Sequence, residues 1–327
     1  MQPVASSGPS ATNEPRQPHP RAVSTASAPA TEPTSDPAPD PVDRRVEWVR
    51  ILPFMAMHAA CALVFVVGWS PVALAVAGAL YVVRMFGITA FYHRYFSHRA
   101  FRTGRVVQFL GAVLAASAVQ RGPLWWAAHH RQHHRHADTP RDAHSPHAHG
   151  FWWSHVFWFT NRQNFATDLS QVPDLAKFPE LRWLDRNDVA VPLLLLAALA
   201  GLGGALGAWA PELGTGALQM VVWGFFVSTV VLFHVTSSVN SLGHLLGKRV
   251  WPTTDQSRNS AVLALLTLGE GWHNNHHWCP GAVRQGIRWW EIDVTWYVLR
   301  VLAALGLVHD LGPLPARAFA RARRLPR

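Results

Sequence analysis

Histidines recur in this sequence at spacings that are typical of metal ligands. Two segments each carry three histidines at positions i, i+3 and i+4: His130, His133 and His134 in the first, and His273, His276 and His277 in the second. On a helix, side chains at this spacing lie on one face, so each segment is expected to present three neutral imidazoles to one place.

Three further histidines, His93, His98 and His244, bring the set to nine. Imidazole suits iron, copper, zinc and nickel, and nine imidazoles exceed the coordination number of one ion. The sequence therefore predicts two metal ions close together. His93 and His98 are five residues apart, which on an α-helix separates them by about 140°, so one of them must approach the metals from a helix end.

The composition indicates a membrane protein. Hydrophobic residues make up 49% of the chain and charged residues only 15%, with 16 Trp and 16 Phe, a combination that points to a membrane. The two cysteines, Cys61 and Cys279, are too few for a disulfide framework.

Four stretches are long and apolar enough to cross a bilayer. They are residues 51–70, 71–92 and 189–211 and a span within 213–247. Arg84 is the only charged residue in the second stretch, and its side chain is expected to reach toward the nearer membrane surface. Residues 106–119 are also apolar but too short to span, so this stretch is expected to lie in the interface or against the other helices.

Basic residues predict the orientation of these spans. The turns at 68–71 and 211–216 contain no Lys or Arg, and every basic residue except Arg84 lies in the N-terminal tail, in residues 93–188 or after the fourth span. By the positive-inside rule, both termini and all the histidine segments are expected to be cytoplasmic. The net charge of +10 is then explained by topology and anionic lipid, and no nucleic-acid partner is expected.

The ends of the chain differ from its middle. Residues 1–43 are rich in Pro, Ala, Ser and Thr and lack an apolar cluster, so they are predicted to form a disordered tail without the apolar core of a signal peptide. Residues 46–312 are predicted to form one membrane domain, followed by a basic C-terminal tail at 313–327.

Other histidines surround the second segment at irregular spacing: His129, His136, His144, His147, His149 and His155. Irregular spacing in a polar loop favours solvated or hydrogen-bonded side chains over metal ligands. His234 stands alone within the fourth span and is expected to pack between helices.

The histidine segments, together with Asn240-Ser-Leu-Gly-His244, resemble those of membrane acyl-CoA desaturases of the stearoyl-CoA (delta-9) type. The resemblance covers residues 46–312, including the order of the spans. It implies an all-α integral membrane protein in which four transmembrane helices lie under a cytoplasmic helical cap. It also implies two irons held by the nine histidines and, through a water, by Asn240.

The resemblance further implies a bent substrate tunnel and insertion of a cis double bond near the middle of a saturated acyl chain. Gln120, Trp126 and Thr236 match family residues at the bend, and Tyr81 and Met85 lie where the family's tunnel closes. Two positions depart from the family pattern: His129 stands where an acidic residue is usual and Ser237 where a tryptophan is usual. The resemblance therefore does not imply which residues contact the substrate head group or form part of the tunnel wall.

The chemistry of the imidazoles agrees with this reading. Removing hydrogen from an unactivated methylene requires a strong oxidant, and iron with dioxygen is the usual biological source. Glu270, Asp138 and Asn274 are candidate partners that would orient the imidazole rings. Reduction of dioxygen also needs two electrons from outside, and the sequence has no nucleotide-binding glycine motif, haem-attachment motif or cysteine cluster. A separate donor is expected, either a ferredoxin or a b-type cytochrome with its NAD(P)H reductase.

The predicted function is oxygen-dependent desaturation of a fatty acyl thioester, by an enzyme embedded in membrane lipid. A lipid hydroxylase could use the same histidines, because the outcome after hydrogen abstraction depends on positions that the sequence does not reveal. A metal transporter would carry its ligands inside the spans along a path. Here the histidine segments lie at or beyond the ends of the spans.

Overall fold

The computed structural model describes residues 45–316, 318 and 320. The predicted N-terminal tail at 1–43 lies outside the described residues, as do positions 317, 319 and 321–327 of the predicted C-terminal tail.

Four helices of the described chain are long and apolar enough to cross a membrane, which confirms the predicted number and order of spans. They are Trp48–Val67, Pro71–Ser97, Ala190–Trp209 and Ala217–Leu245. In the most apolar part of the first and third spans only 6% and 17% of residues are buried, against 39% and 44% in the second and fourth. The second and fourth spans are therefore the inner pair, and they lead into the elements that carry the histidines.

The spans begin and end where local chemistry requires it. In the first span, the helix Trp48–Cys61 is followed by a turn and the short helix Val64–Val67. Ser70 caps the second span by accepting a hydrogen bond from the Ala73 N–H, and Pro71 occupies the first helical position, where its missing N–H is not needed. The third and fourth spans approach closely at Gly203, where a Cβ atom would lie 2.6 Å from the Gly216 carbonyl.

Both inner spans contain π-helix, in which hydrogen bonds run from residue i to i+5. The second span is α-helical over Pro71–Phe86 and π-helical over Gly87–Ser97. The fourth is built from Ala217–Val221, the π-segment Val222–Val227, Ser228–Asn240 and Leu242–Leu245. Such segments frequently occur at functional sites.

Short helices between the second and third spans form most of the cap. They are Arg105–Ala116, Pro123–His136, Pro146–His149, Phe151–His155, Phe157–Thr160, Arg162–Phe165, Leu169–Gln171, Pro173–Ala176 and Pro179–Arg186. Arg105–Ala116 is the short apolar helix expected from residues 106–119.

After the fourth span the chain adds the helices Ala261–Leu266, His273–Trp278 and Val294–Ala304; Pro211–Leu213 is a single 3-10 turn between the last two spans. The strand Arg102–Thr103 pairs antiparallel with Val308–His309, with Arg102 opposite His309. This small pair joins the start of the cap to the end of the domain. Together with the isolated bridges of Asn259 to Lys248 and Trp272, it adds β-structure to the predicted all-helical fold.

Arg84 corrects the expectation that its side chain reaches the membrane surface. It is buried, and its guanidinium donates hydrogen bonds to the hydroxyls of Ser228 at 2.6 Å and Thr229 at 2.7 Å in the fourth span. It also donates to the backbone carbonyls of Ser117 and Leu80. Because these acceptors satisfy the charged group internally, Arg84 joins the second and fourth spans instead of extending outward.

Candidate metal centre

The structure gathers all nine predicted histidines and divides them into two groups. The five-histidine group contains His93, His98, His130, His134 and His276, and the four-histidine group contains His133, His244, His273 and His277. Within each group, one ring nitrogen per residue lies within 4.8 Å of all the others. As whole residues, six of the nine are buried and His98, His134 and His277 are half-buried, but the side chain of His277 is itself only 1% exposed.

Each triplet of histidines is divided between the two groups. The expectation that all three imidazoles of a triplet point to the same metal position is therefore wrong. On the helix Pro123–His136, positions i and i+4 (His130 and His134) join the five-histidine group, while i+3 (His133) joins the other. The helix His273–Trp278 does the reverse: His273 and His277 join the four-histidine group and His276 the other. On an α-helix i and i+4 differ by about 40° but i+3 and i+4 by about 100°, so one helix can serve two ions.

His93 and His98 meet because the helix that carries them is not α-helical. The backbone N–H of His98 donates to the His93 carbonyl at 3.3 Å, an i to i+5 hydrogen bond, and the two rings lie 4.9 Å apart. The π-geometry of Gly87–Ser97 brings residues five apart to the same side. His98 is the residue that ends this helix. This confirms the expectation that one histidine of the pair approaches from a helix end.

Four of the histidines are held by carboxylates through Nδ1. The pairs are His93 with Glu270 at 2.5 Å, His133 with Asp142 at 2.9 Å, His244 with Asp138 at 2.7 Å and His277 with Asp255 at 3.0 Å. Each carboxylate keeps the proton of its imidazole on Nδ1 and leaves the Nε2 lone pair free to bind a metal.

Two of the three expected ring partners, Glu270 and Asp138, therefore contact histidines. Asn274 does not: its side-chain oxygen accepts hydrogen bonds from the N–H groups of Val250 and Trp251, which holds a neighbouring loop. Sequence reasoning missed Asp142 and Asp255. Asp142 lies nine residues after His133, so its closeness in sequence could have suggested the pair. Asp255 lies 22 residues from His277, and nothing in the sequence between them indicates the contact.

Electrostatics keep most of the rings neutral and the carboxylates charged. Burial, reinforced by the neighbouring imidazoles, holds the pKa of a ring well below its usual value at His98, His130, His134, His273 and His276. At His133 the adjacent Asp142 outweighs burial and raises the pKa. Burial raises the pKa of Asp138, but the combined hydrogen bonds and charge of its neighbours, His244 foremost, lower that pKa to about 2. Neutral imidazoles backed by ionised carboxylates are the form in which histidine binds metals.

The contact between His133 and His277 shows that this arrangement fits metal ions. Their Nε2 atoms lie 3.3 Å apart, while both Nδ1 atoms donate to aspartates. When both rings are neutral and carry their protons on Nδ1, the two Nε2 lone pairs face each other, and a metal ion bound in this group would accept both. Nitrogen donors without a directly contacting thiolate suit iron and other transition metals.

Three cavities extend past the histidines. The first, of about 130 Å³, is lined by Gln120, Trp126, Thr236 and Asn240 together with His130. A second, of about 300 Å³, shares Val119, Arg121, Phe159 and Phe233 with the first and reaches His58 and Pro192 in the first and third spans. A third, of about 30 Å³, shares Trp126, His130, Thr236 and Asn240 with the first and extends to Met85 and Ile88. We call these adjoining cavities the cavity route; the first and third of them border the histidine groups.

Five of the six predicted non-histidine site residues line this route, and Tyr81 lines none of the three cavities. The Tyr81 hydroxyl instead donates to the Leu266 carbonyl at 2.7 Å. At the bend, the Gln120 amide donates to the Thr236 hydroxyl at 3.2 Å, and the Trp126 ring stacks on His130 with centroids 5.0 Å apart.

The sequence predicts that the remaining histidines are solvated or hydrogen-bonded, and several of them are hydrogen-bonded in the structure. His144 is buried against His133, with ring centroids 4.5 Å apart. His147 bonds to the His244 carbonyl at 3.0 Å. His155 and His234 bond each other at 3.0 Å, and His234 also bonds His58 at 2.9 Å, so His234 packs between helices as expected.

Comparisons with known proteins agree with this geometry. A family model described as fatty acid desaturase matches residues 43–311. The chain is 38% identical over 250 residues to a palmitoyl-monogalactosyldiacylglycerol delta-7 desaturase of Arabidopsis thaliana, covering 75% of this chain and 63% of that relative. It is 36% identical to an acyl-CoA 5-desaturase of Anemone leveillei, covering 82% and 83%. It is 35% identical to an sn-1 stearoyl-lipid 9-desaturase of Synechocystis, covering 84% and 82%.

Proposed function

The chain belongs to the fatty acid desaturase family, and on that premise we propose that it inserts a cis double bond into a saturated fatty acyl chain, using dioxygen and two irons. The observation that carries this proposal is the pair of histidine groups beside the cavity route. Nine nitrogen donors form two adjacent metal-binding groups, and the route past them runs between apolar side chains such as Phe159, Phe233 and Ile88.

When bound, the irons would supply the oxidant that the protein's own side chains lack. We propose that the nine histidines are the iron ligands and that Asn240, which lines two of the cavities, holds a water at the site. The described residues then have three tasks: to hold the ions, to place one methylene pair against them and to exclude bulk water.

Placement follows from the side chains at the bend. The hydrogen bond between Gln120 and Thr236 ties the cap to the fourth span on one side of the route. Trp126, stacked on His130, forms the opposite wall and fixes the orientation of that imidazole. A saturated chain threaded between them would be held beside the histidines, and such orientation accounts for a large share of a rate enhancement.

We propose an acyl thioester as the substrate, most simply acyl-CoA. Relatives of both kinds, acyl-CoA and acyl-lipid desaturases, match the chain at nearly equal identity, so the carrier has to be tested directly. We propose that both termini and the metal groups lie in the cytoplasm, which the distribution of Lys and Arg supports. We propose in addition a separate electron donor, a ferredoxin or b-type cytochrome with its reductase.

The test is product analysis. The chain is expressed in a host that lacks its own desaturases, and total fatty acids are analysed by mass spectrometry with and without oxygen. We expect mono-unsaturated chains that appear only with oxygen. A hydroxylated product would identify a hydroxylase, and unchanged lipids with normal protein and iron content would refute an oxidative role.

Assays with purified protein identify the acyl carrier and test the need for a separate electron donor. Stearoyl-CoA and a phospholipid that carries the same acyl chain are offered separately, each with NADPH, reductase and donor. Conversion of the phospholipid alone would overturn the thioester assignment while keeping the desaturase assignment. NADPH without the donor is expected to support no turnover, and turnover under those conditions would contradict the need for a separate protein.

A further inference from the structure

The four carboxylates that hold imidazole rings are divided unequally between the two histidine groups. Three of them serve the four-histidine group, through His133, His244 and His277. Only one, Glu270 on His93, serves the five-histidine group. In the described residues, none of the other four rings of the five-histidine group has a carboxylate partner.

The single carboxylate of the five-histidine group is also offset by a cation. Arg94 lies 3.0 Å from Glu270 and 2.9 Å from Asp293, and all three side chains are buried. Because Arg94 is shared between Glu270 and Asp293, the three groups together carry one negative charge, and the guanidinium weakens the field of Glu270 at the His93 ring.

The three aspartates of the four-histidine group have no such cation. Within residues 45–316 none of them forms an ion pair with Lys or Arg; Arg249 reaches only the backbone carbonyl of Asp255. Their other hydrogen bonds come from neutral donors: the N–H groups of Asp138 and His144 to Asp142, the Gln256 N–H and Ser145 hydroxyl to Asp138, and the Ser257 N–H and Thr253 hydroxyl to Asp255. Such bonds favour the ionised carboxylate.

His144 is the one further titratable ring beside these aspartates, with its Nδ1 3.7 Å from Asp142. Its Nδ1 makes no hydrogen bond to a described group, so His144 does not hold Asp142 as Arg94 holds Glu270. The four-histidine group therefore faces three carboxylates without an arginine or lysine partner, whereas Glu270, Asp293 and Arg94 beside the five-histidine group together carry a single negative charge.

A carboxylate on Nδ1 makes an imidazole a stronger donor, and uncompensated negative charge favours the more positive state of a bound ion. Resting on the two-iron reading of the proposed function, we propose that the two metal positions are unequal: the ion in the four-histidine group is oxidised first and is held as the more highly charged of the two. Asp138, Asp142 and Asp255 are the positioning residues that create this difference.

The experiment uses the full chain in lipid nanodiscs, loaded with two ferrous ions and titrated anaerobically with ferricyanide, without substrate or electron donor. Mössbauer spectroscopy distinguishes mixed-valence iron pairs from all-ferrous and all-ferric pairs after each equivalent. In the wild type we expect the first equivalent to give one ferric and one ferrous ion in each chain. A mixture of fully ferrous and fully ferric chains would overturn the proposal without any variant.

Matched substitutions test which residues create the difference. Asn and Gln keep an oxygen that accepts from Nδ1–H but remove the charge. Each of Asp142→Asn and Asp255→Asn is expected to reduce the ferric preference of its group about tenfold or more, or about 59 mV for one electron. The two oxidation steps should therefore converge in the double variant. Glu270→Gln should move them further apart.

Opposite responses to the two kinds of substitution separate this effect from general damage. Unchanged or wider separation in an Asp142→Asn, Asp255→Asn protein that retains both irons would overturn the proposal, as would convergence in Glu270→Gln. A chain that desaturates lipid but shows equivalent irons defeats this inference alone. A chain with sequential oxidation but no double-bond product defeats the proposed function alone.

Discussion

The sulfur of Met85 lies 4.0 Å from the hydroxyl of Thr236, so the second and fourth spans meet across the narrow end of the cavity route. Met85 is buried and lines the smallest cavity together with Ile88 and Thr89. Directly beyond it, Arg84 is fixed to the fourth span by Ser228 and Thr229. We propose that the acyl chain ends at this contact, on the side of the second span.

Shortening Met85 should therefore change the preferred chain length. Met85→Ala opens space for roughly one to three methylenes, each worth about 0.8 kcal/mol of burial, so longer acyl chains should be favoured by several-fold or more. The measurement compares products from saturated chains of graded length. Tyr81→Phe is the matched control, because Tyr81 lines none of the cavities, and its profile should equal the wild type. An unchanged profile in Met85→Ala with normal iron content would place the end of the tunnel elsewhere.

Removing one histidine from either group should lower bound iron and abolish desaturation. His276→Ala opens the five-histidine group and His273→Ala the four-histidine group, and each leaves the other group's ligands intact. Iron per chain is measured by plasma emission spectrometry beside the fatty-acid product. His136→Ala, which alters a ring in neither group, is the control and should retain both. Wild-type iron and activity in either variant would show that the replaced histidine is not a ligand.

Arg84→Ala should destabilise the protein strongly. It removes a buried side chain that joins two spans and leaves the Thr229 hydroxyl without its partner, for an expected loss of about 3 kcal/mol. Equilibrium unfolding in mixed micelles measures the change. Arg102→Ala removes an arginine whose side chain is 77% exposed and should change stability by less than about 0.5 kcal/mol. Equal effects of the two substitutions would contradict the role of Arg84 as a tie between spans.

Acidification should destabilise the metal-free protein partly through His129. Its ring lies against Trp125 and Trp158, with centroids 4.5 and 5.4 Å apart, and burial lowers its pKa to about 4. An unfolded histidine titrates near 6.5, so between about pH 6.5 and 4 the unfolded chain binds a proton that the folded chain does not, and stability falls as the pH falls.

For one such histidine, the expected loss between pH 7 and pH 5 is roughly 2 kcal/mol. His129→Phe keeps a ring at this position and removes the titration, so the decline in unfolding free energy over this range should be smaller by about that amount. The comparison is made by equilibrium unfolding of metal-free wild type and variant at both pH values. Parallel declines in the two proteins would assign the pH dependence to other groups.

The sequence by itself determined the four spans and the nine histidines. Membrane spans are local: an uncharged run of about 20 residues has to cross a bilayer whatever its neighbours are, and the helices of the structure follow those runs. The histidine spacing is also local, and it indicated two metals through the number of imidazoles alone. The same local rules failed where two elements meet. Arg84 was expected at the surface because its partners, Ser228 and Thr229, lie about 145 residues away.

Only the tertiary structure decided how the histidines are shared and which carboxylates hold them. Asp138 and His244 are 106 residues apart in sequence, and no periodicity of either segment encodes their contact. In each triplet, the histidines at i and i+4 join one group and the histidine at i+3 joins the other. This division becomes visible only when the two helices that carry the triplets are packed together. A helix fixes the angles between its own side chains, whereas the position of an ion between two helices depends on how they pack, and that depends on contacts spread over the whole domain.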